Sequence, residues 1–128
     1  MNTDEHRSEL NRISEKVISC VFHVSNALGC GFLEKVYENA LVIELRRAGL
    51  TLRQQHPVHV YYDGRTVGDY VVDLLVEDCV MVELKATKTF DEVHTAQCMN
   101  CLRATKLNLC LLVNFGTPRA QIKRIIYG

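Results

Sequence analysis

Three charged residues stand in apolar, strand-like stretches, where a charge is expensive to bury. Glu83 and Lys85 lie in one such stretch, and Asp73 lies in the middle of the preceding one. Side chains of a strand alternate between its two faces, so Glu83 and Lys85 point the same way. A tight turn at Glu77-Asp78 would join the two strands and place Asp73 across the hairpin from Glu83. The sequence therefore predicts two carboxylates and a lysine on one patch of sheet.

Two carboxylates in apolar surroundings repel each other, so one is expected to be protonated unless a cation binds both. Mg²⁺ and Mn²⁺ prefer hard oxygen ligands, and Mg²⁺ is usually held by one or two carboxylates plus water and phosphate oxygens. A lysine beside that cation could orient a water molecule or meet the charge that develops on a phosphate. This pattern favours metal-assisted hydrolysis of a phosphodiester. The alternative is a structural ion pair, in which Lys85 pairs with Asp73 or Glu83.

Hydrophobic periodicity predicts the elements that carry these residues. Asp63-Gly64 is typical of a tight hairpin turn, and Gly29 and Gly49 end the first two helices. The predicted helices are Ser8–Leu28, Leu33–Ala48 and Asp91–Thr105, and the predicted strands are Val58–Tyr62, Arg65–Val76, Cys79–Ala86, Leu107–Asn114 and a short last strand over Gln121–Tyr127. This order predicts an α/β fold in which helices pack on a mixed sheet, with the apolar Leu107–Asn114 strand in its centre.

Composition limits the classes of protein that this chain can be. Its 128 residues, 48% hydrophobic and 23% charged, are typical of one globular domain over 1–128. Basic and acidic residues balance at 15 each, so the net charge gives no sign of a nucleic-acid partner. No apolar leader and no run of membrane-spanning length is visible, so we expect a cytoplasmic protein without a membrane partner. Its six cysteines are then expected to be reduced thiols.

A second, softer metal site is suggested by one predicted helix. His94, Cys98 and Cys101 stand at steps of four and three residues, which could present three ligands to zinc or an iron–sulfur cluster. The sequence offers no evident fourth ligand and no second Cys-x-x-Cys pair. Free cysteines are common small core residues, so we interpret these two as part of the core.

The spacing of the charged residues resembles a known nuclease core. Asp73, nine residues, then Glu83-Leu84-Lys85 resembles the D-x(n)-(D/E)-x-K pattern of the PD-(D/E)XK nuclease superfamily, and the predicted αβββαβ order resembles its restriction-endonuclease-like fold, here with an extra N-terminal helix. More narrowly, Gly31–Tyr37 resembles the signature of the GxxExxY protein family, a branch of that superfamily. Similar blocks occur from about residue 10 to 126, at Tyr37–Leu41, Gly68–Tyr70, Ala96-Gln97 and Asn114–Gly116.

This resemblance also has departures. Val72, and not a proline, stands immediately before Asp73, so the "PD" part of the pattern is missing. Cys101 and Cys110 stand where the resemblance leads us to expect an aromatic residue and a glycine. Neither cysteine stands at a catalytic position, so these two departures indicate altered packing or a different partner surface and leave the expected metal site intact.

The resemblance implies a role for several residues. It makes Asp73, Glu83 and the backbone carbonyl of Leu84 metal ligands, Lys85 the catalytic lysine, and Gln97 a further catalytic residue that lies beside the site. A carboxylate from the early helix often completes the metal shell in this superfamily. Glu34 and Glu38 are both candidates because their four-residue spacing puts them on one helical face. We expect Glu38 to be the ligand and Glu34 and Tyr37 to contact substrate or support the site, although Glu34 could serve only the helix terminus and Tyr37 could simply pack.

The resemblance implies a nuclease that uses Mg²⁺ or Mn²⁺ to hydrolyse DNA or RNA. The alternative is a catalytically inactive nuclease-like module that binds nucleic acid or a protein partner. A third possibility is a homodimer whose two sites act on two strands, with Cys101 and the apolar last strand at its interface.

Overall fold

The computed structural model describes residues 3–128 of the chain, and these form three helices and five strands. Within this range no helix is both long and apolar enough to span a membrane. The elements in chain order are α1 Thr3–Leu28, α2 Glu34–Arg47, β1 Leu52–Tyr62, β2 Arg65–Val76, β3 Val80–Lys85, α3 Glu92–Thr105, β4 Leu109–Asn114 and β5 Gln121–Ile126. The order confirms the predicted αβββαβ core with an extra N-terminal helix, and β1 begins six residues earlier than predicted.

The five strands form one sheet in the order β1-β2-β3-β4-β5. Neighbouring strands are antiparallel except β3 and β4, which run parallel. A parallel pair needs a long crossover, and α3 supplies it by returning the chain across one face of the sheet. Strand β3, which carries Glu83 and Lys85, is therefore the middle strand. The fully buried β4 lies beside it in the interior of the sheet.

The helices cover the sheet from both sides. On one face, α1 and α2 pack against apolar side chains that include Val80 and Leu111. On the other face, α3 packs against a smaller cluster that includes Met81 and Leu112. Adjacent residues of β4 thus enter opposite clusters, which explains why this strand is apolar at nearly every position.

The cysteines of α3 belong to this smaller cluster. Cys98 and Cys101 pack with Cys110 of β4, and all three are buried free thiols. Across residues 3–128, no group of three or more His, Cys, Asp or Glu side chains is arranged to hold a metal ion. Cys101 is only 6% exposed, so its side chain offers little surface to the dimer interface considered from the sequence. It packs inside the chain, beneath α3.

Candidate active site

The candidate site lies where β2 and β3 stop pairing through their backbones. Their ladder runs over Leu74–Val76 and Val80–Val82. At the next position, side-chain carboxylates take over: the Asp73 N–H donates to Glu83 Oε1 at 2.8 Å, and the Leu84 N–H donates to Asp73 Oδ2 at 2.8 Å. The structure therefore brings Asp73 and Glu83 together across the hairpin. Each carboxylate uses one oxygen for this backbone contact, and the other oxygen of Asp73, Oδ1, accepts from the Gln55 side-chain amide at 3.3 Å.

At this point the side chains of β2 change the face of the sheet on which they lie. Leu74 packs on the α1–α2 side of the sheet, whereas Val72 packs on the α3 side. Two residues this far apart on a regular strand would share a face. Gln55, which stands opposite Asp73 between regularly paired neighbours, has a left-handed backbone with φ 55°. The irregular backbone around Gln55 and Asp73 accompanies the change of face.

Negative charge exceeds positive charge at the site. Burial and the neighbouring charge of Asp73 raise the pKa of Glu83 from 4.5 to about 7. Burial also raises the pKa of Asp73, and partial burial together with the charge of Asp73 raises the pKa of Glu34. The positive charge of Lys85 acts in the opposite direction on all three groups. These three carboxyl groups have raised pKa values because one lysine does not offset their burial and the repulsion from neighbouring carboxylates. A divalent cation would relieve that imbalance of charge.

The two glutamates of α2 have different surroundings. Glu38 is 2% exposed, and its carboxylate accepts hydrogen bonds from Lys35, Gln54 and Gln55. Burial alone would raise the pKa of Glu38, but these hydrogen bonds bring it below its usual value. Glu34 is exposed and has no such set of donors among the hydrogen bonds of residues 3–128. The carboxylate of Glu38 is therefore occupied by its own hydrogen bonds, whereas Glu34 is the exposed carboxylate at the start of α2.

Gln55 links Glu38 to the site. Its side-chain amide donates to Glu38 Oε1 at 2.9 Å and to Asp73 Oδ1 at 3.3 Å. Glu38 therefore lies one residue away from the carboxylate pair and orients it through Gln55. Sequence analysis missed Gln54 and Gln55 because they lie in the polar first half of β1, where no alternating pattern marks a strand. Only the register of β1 against β2 reveals them.

Tyr37 supports the fold beneath the site. Its side chain has no exposed surface, and its ring stacks on Phe115 with 4.7 Å between centroids. The hydroxyl donates to the Gly29 carbonyl at 2.6 Å and accepts from the Phe32 N–H at 3.2 Å. A ring in this position packs the α1–α2 connection and has no surface for a substrate. Of the two roles open from the sequence, the geometry favours packing.

A small cavity adjoins Glu83 and Lys85 on the α3 side. It has a volume of about 20 Å³, and Gln97 and His94 of α3 also line it. A cavity of this size has room for about one water molecule. The Nδ1 atom of His94 is buried and has no hydrogen-bond partner among the described residues. Gln97 thus lies beside the carboxylate–lysine pair as expected, and His94, considered from the sequence only as a soft metal ligand, joins it.

The chain after Lys85 is fixed by the end of β4. Asn114 is fully buried and pairs in register with Lys85. Its side-chain oxygen accepts from the N–H groups of Thr87 and Gly116 at 3.0 and 2.9 Å, and its amide donates to the Thr87 carbonyl at 2.9 Å. A Cβ at Gly116 would lie 2.0 Å from that carbonyl oxygen, so this approach requires glycine. The Asn114–Gly116 segment therefore holds the loop that follows Lys85.

The available donors suit a hard cation. Asp73, Glu83 and the Leu84 carbonyl offer oxygen atoms, and Mg²⁺ or Mn²⁺ bound this way would keep several waters. A structural zinc site would need four side-chain ligands, and residues 3–128 contain no group of even three.

The family model of the PD-(D/E)XK nuclease superfamily matches residues 11–125, and the chain belongs to this superfamily. Nucleases of this superfamily generally use divalent metal ions. None of the curated proteins matches this chain.

Two solved structures are similar to this chain. The crystal structure of SSO0001 covers 95% of the chain with a TM-score of 0.56 and 18% identity. An alkaline exonuclease from Laribacter hongkongensis covers 73% of the chain with a TM-score of 0.47 and 15% identity. This chain spans 60% and 56% of the lengths of those two proteins. At such identities, the likeness to SSO0001 supports the fold.

Proposed function

We propose that this chain is a metal-dependent nuclease that hydrolyses phosphodiester bonds of DNA or RNA. The observation that carries the proposal is the reciprocal contact of Asp73 and Glu83, with Lys85 on the same strand as Glu83. Membership of a nuclease superfamily supports the reaction class. We assign the chain to the GxxExxY branch on its Gly31–Tyr37 signature, and treat 1–128 as one nuclease-like domain.

In this proposal the carboxylates hold the cation. Asp73, Glu83 and the Leu84 carbonyl would bind Mg²⁺ or Mn²⁺, and water and phosphate oxygens would complete the shell. The bound ion would act as a Lewis acid that stabilises negative charge on the phosphate oxygens. Glu38 would keep Asp73 oriented through the Gln55 amide. This assignment gives Glu38 a positioning role in place of the ligand role expected from the sequence.

The residues around the small cavity would act on water and phosphate. The Lys85 ammonium would donate a hydrogen bond to the attacking water or to a phosphate oxygen and stabilise the charge that develops there. The Gln97 amide and the buried Nδ1 of His94 would fix the orientation of one water molecule in the cavity. A held nucleophile loses less entropy on reaching the transition state, which accelerates hydrolysis.

The direct test is a cleavage assay on labelled single- and double-stranded DNA and RNA, with Mg²⁺ or Mn²⁺ and with EDTA. The wild type is compared with Lys85→Ala, Glu83→Gln and the control Lys88→Ala, whose side chain is exposed three residues after Lys85. We expect cleavage that needs the cation, survives in the control, and is lost in the other two variants.

Two other outcomes would count against the proposal. If the folded wild type cuts none of the substrates, the nuclease-like binding module becomes the better account. If cutting survives both Lys85→Ala and Glu83→Gln, the activity arises elsewhere and the site assignment fails.

A further inference from the structure

A second concave surface lies next to the candidate site. It is a groove of about 540 Å³ between the β1–β2 hairpin and α3. Tyr61 and Tyr70 line it from the strands, and Arg103 and Lys106 line it from the end of the helix. Tyr70 also lines the small cavity beside Glu83 and Lys85. One side chain therefore joins the groove to the site.

The groove presents aromatic rings to solvent. Tyr61 is 63% exposed and Tyr70 is 40% exposed, and neither is part of the two core clusters. A tyrosine offers a rigid flat surface at a low cost in conformational entropy, so exposed rings in a concave surface suit flat ligands. The two rings are therefore placed to stack on planar groups of a ligand.

A bulge in the hairpin accompanies the position of Tyr61. Val60 pairs with Gly68 and Tyr61 pairs with Thr66, which leaves Val67 as an extra residue on β2. An extra residue increases the local twist and re-aims the neighbouring side chains. Consecutive residues of a regular strand point to opposite faces, yet both Val60 and Tyr61 line the groove.

The charge of the groove differs from that of the whole chain. Arg103 and Lys106 line it, and none of its lining residues is a carboxylate, although the net charge of the sequence is zero. Lys106 is the residue that ends α3, with a left-handed backbone at φ 63°. A concave surface with cations and no acidic groups is complementary to phosphate.

We propose that this groove binds a single strand of nucleic acid and leads it to the candidate site. Bases would stack on Tyr61 and Tyr70, while Arg103 and Lys106 would contact the phosphates. Stacking platforms beside a cationic track are how proteins bind single strands, whereas the bases of a duplex are stacked on one another and hide their faces. This inference rests on the proposed nuclease function and narrows its substrate to single-stranded nucleic acid or single-stranded ends.

The test measures binding separately from cutting. Fluorescence anisotropy of short labelled oligonucleotides is recorded in EDTA, so that no metal-dependent cleavage occurs. The variants are Tyr61→Ala and Arg103→Ala. Their matched controls are Tyr62→Ala, the next residue, which is 75% exposed and not among the groove's lining residues, and Arg46→Ala on α2, across the sheet from α3. All four side chains are exposed, and circular dichroism checks that each variant is folded.

We expect the single strand to bind more tightly than the duplex. Tyr61→Ala should weaken single-strand binding about tenfold, and Arg103→Ala should weaken it and lower the salt slope by about one. Both controls should stay within about twofold of the wild type. Wild-type protein that binds no single strand, or that binds duplex equally well with no loss in Tyr61→Ala, would overturn the groove proposal.

Failure of the groove and failure of the nuclease give different results. Cleavage that depends on Lys85 together with binding that ignores Tyr61 and Arg103 would remove the groove and keep the nuclease. Binding that depends on Tyr61 and Arg103 without any cleavage would keep the groove and remove the nuclease.

Discussion

The two ends of the β2–β3 hairpin are built from similar apolar strands but are held together differently. Toward the turn, Val76 pairs with Val80 and Leu75 with Met81, and the backbone ladder satisfies both strands. At the other end, the carboxylates of Asp73 and Glu83 accept the backbone N–H groups instead. One end stabilises the fold by burying apolar surface, and the other holds charged groups that burial disfavours.

Under the proposed function, this difference assigns stability to one end of the hairpin and chemistry to the other. Functional sites commonly contain groups that a purely structural design would avoid. Here Asp73 and Glu83 lie one residue beyond the last ladder pair, Leu74 and Val82. The end toward the turn, called the paired end, can therefore supply stability. The end at Asp73 and Glu83, called the open end, retains its charges. Substitutions at the two ends should therefore affect different properties.

The largest expected effect is on activity at the open end. Asp73→Asn removes a proposed cation ligand with little change in shape, and the rate of cleavage should fall about 1,000-fold or more. Asp78→Asn, at the turn end, removes an exposed carboxylate that pairs with Arg53 on the surface, and the rate should stay within about twofold. Initial rates on one labelled substrate check both. Equal losses in the two variants would contradict the division of the hairpin.

The next effect is on stability at the paired end. Leu74 is fully buried in the α1–α2 cluster, so Leu74→Ala should lower the free energy of unfolding by about 3–4 kcal/mol. Val71→Ala, three residues away and 54% exposed, should cost less than about 1 kcal/mol. Urea denaturation measures both. A loss at Val71 as large as that at Leu74 would show that the open end contributes equally to stability.

The pH dependence of folding stability gives a smaller effect, which has opposite signs at Glu83 and at Glu77. Because folding raises the pKa of Glu83 from 4.5 to about 7, its contribution to stability is complete below pH 4.5 and is lost as the pH rises through 7. In cation-free buffer, Glu83→Gln should therefore stabilise the chain by up to about 3 kcal/mol above pH 7 and by little below pH 4.5.

Glu77, at the turn, is the matched comparison. Hydrogen bonds from Thr51 hold the pKa of Glu77 below its usual value, so its contribution is present at neutral pH and is lost on acidification. The free energy of unfolding of Glu77→Gln should therefore fall furthest below that of the wild type at neutral pH. Urea denaturation across a pH series checks both variants, and parallel pH profiles for them would contradict the assigned environments.

The sequence predicts most of the fold because most elements have a regular apolar pattern. Strand β2 and the turn at Asp63-Gly64 are found as predicted, and Asp91 caps α3 by accepting from the Val93 N–H at 3.0 Å. The first half of β1 could not be found this way. Its polar residues form a strand because they pair with β2, and that pairing leaves no period in their own sequence.

The sequence predicts the charged residues at the centre of the site but not the residues that hydrogen-bond to them. Asp73 and Glu83 are found because a charge in an apolar strand is conspicuous and the turn fixes their register. The choice between Glu34 and Glu38 depends on how α2 docks, which buries Glu38 and leaves Glu34 exposed. Gln55 is polar in a polar segment, so only its position in the sheet reveals its contact with Asp73.

The central claim is that the open end of the hairpin is a cation site, and thermal unfolding in the presence of Mg²⁺ or Mn²⁺ tests it without any substrate. The account predicts that saturating cation raises the melting temperature of the wild type and of Asp78→Asn by at least about 3 °C, and that Asp73→Asn loses this increase. The same increase in Asp73→Asn, or no increase in the wild type, would contradict the claim.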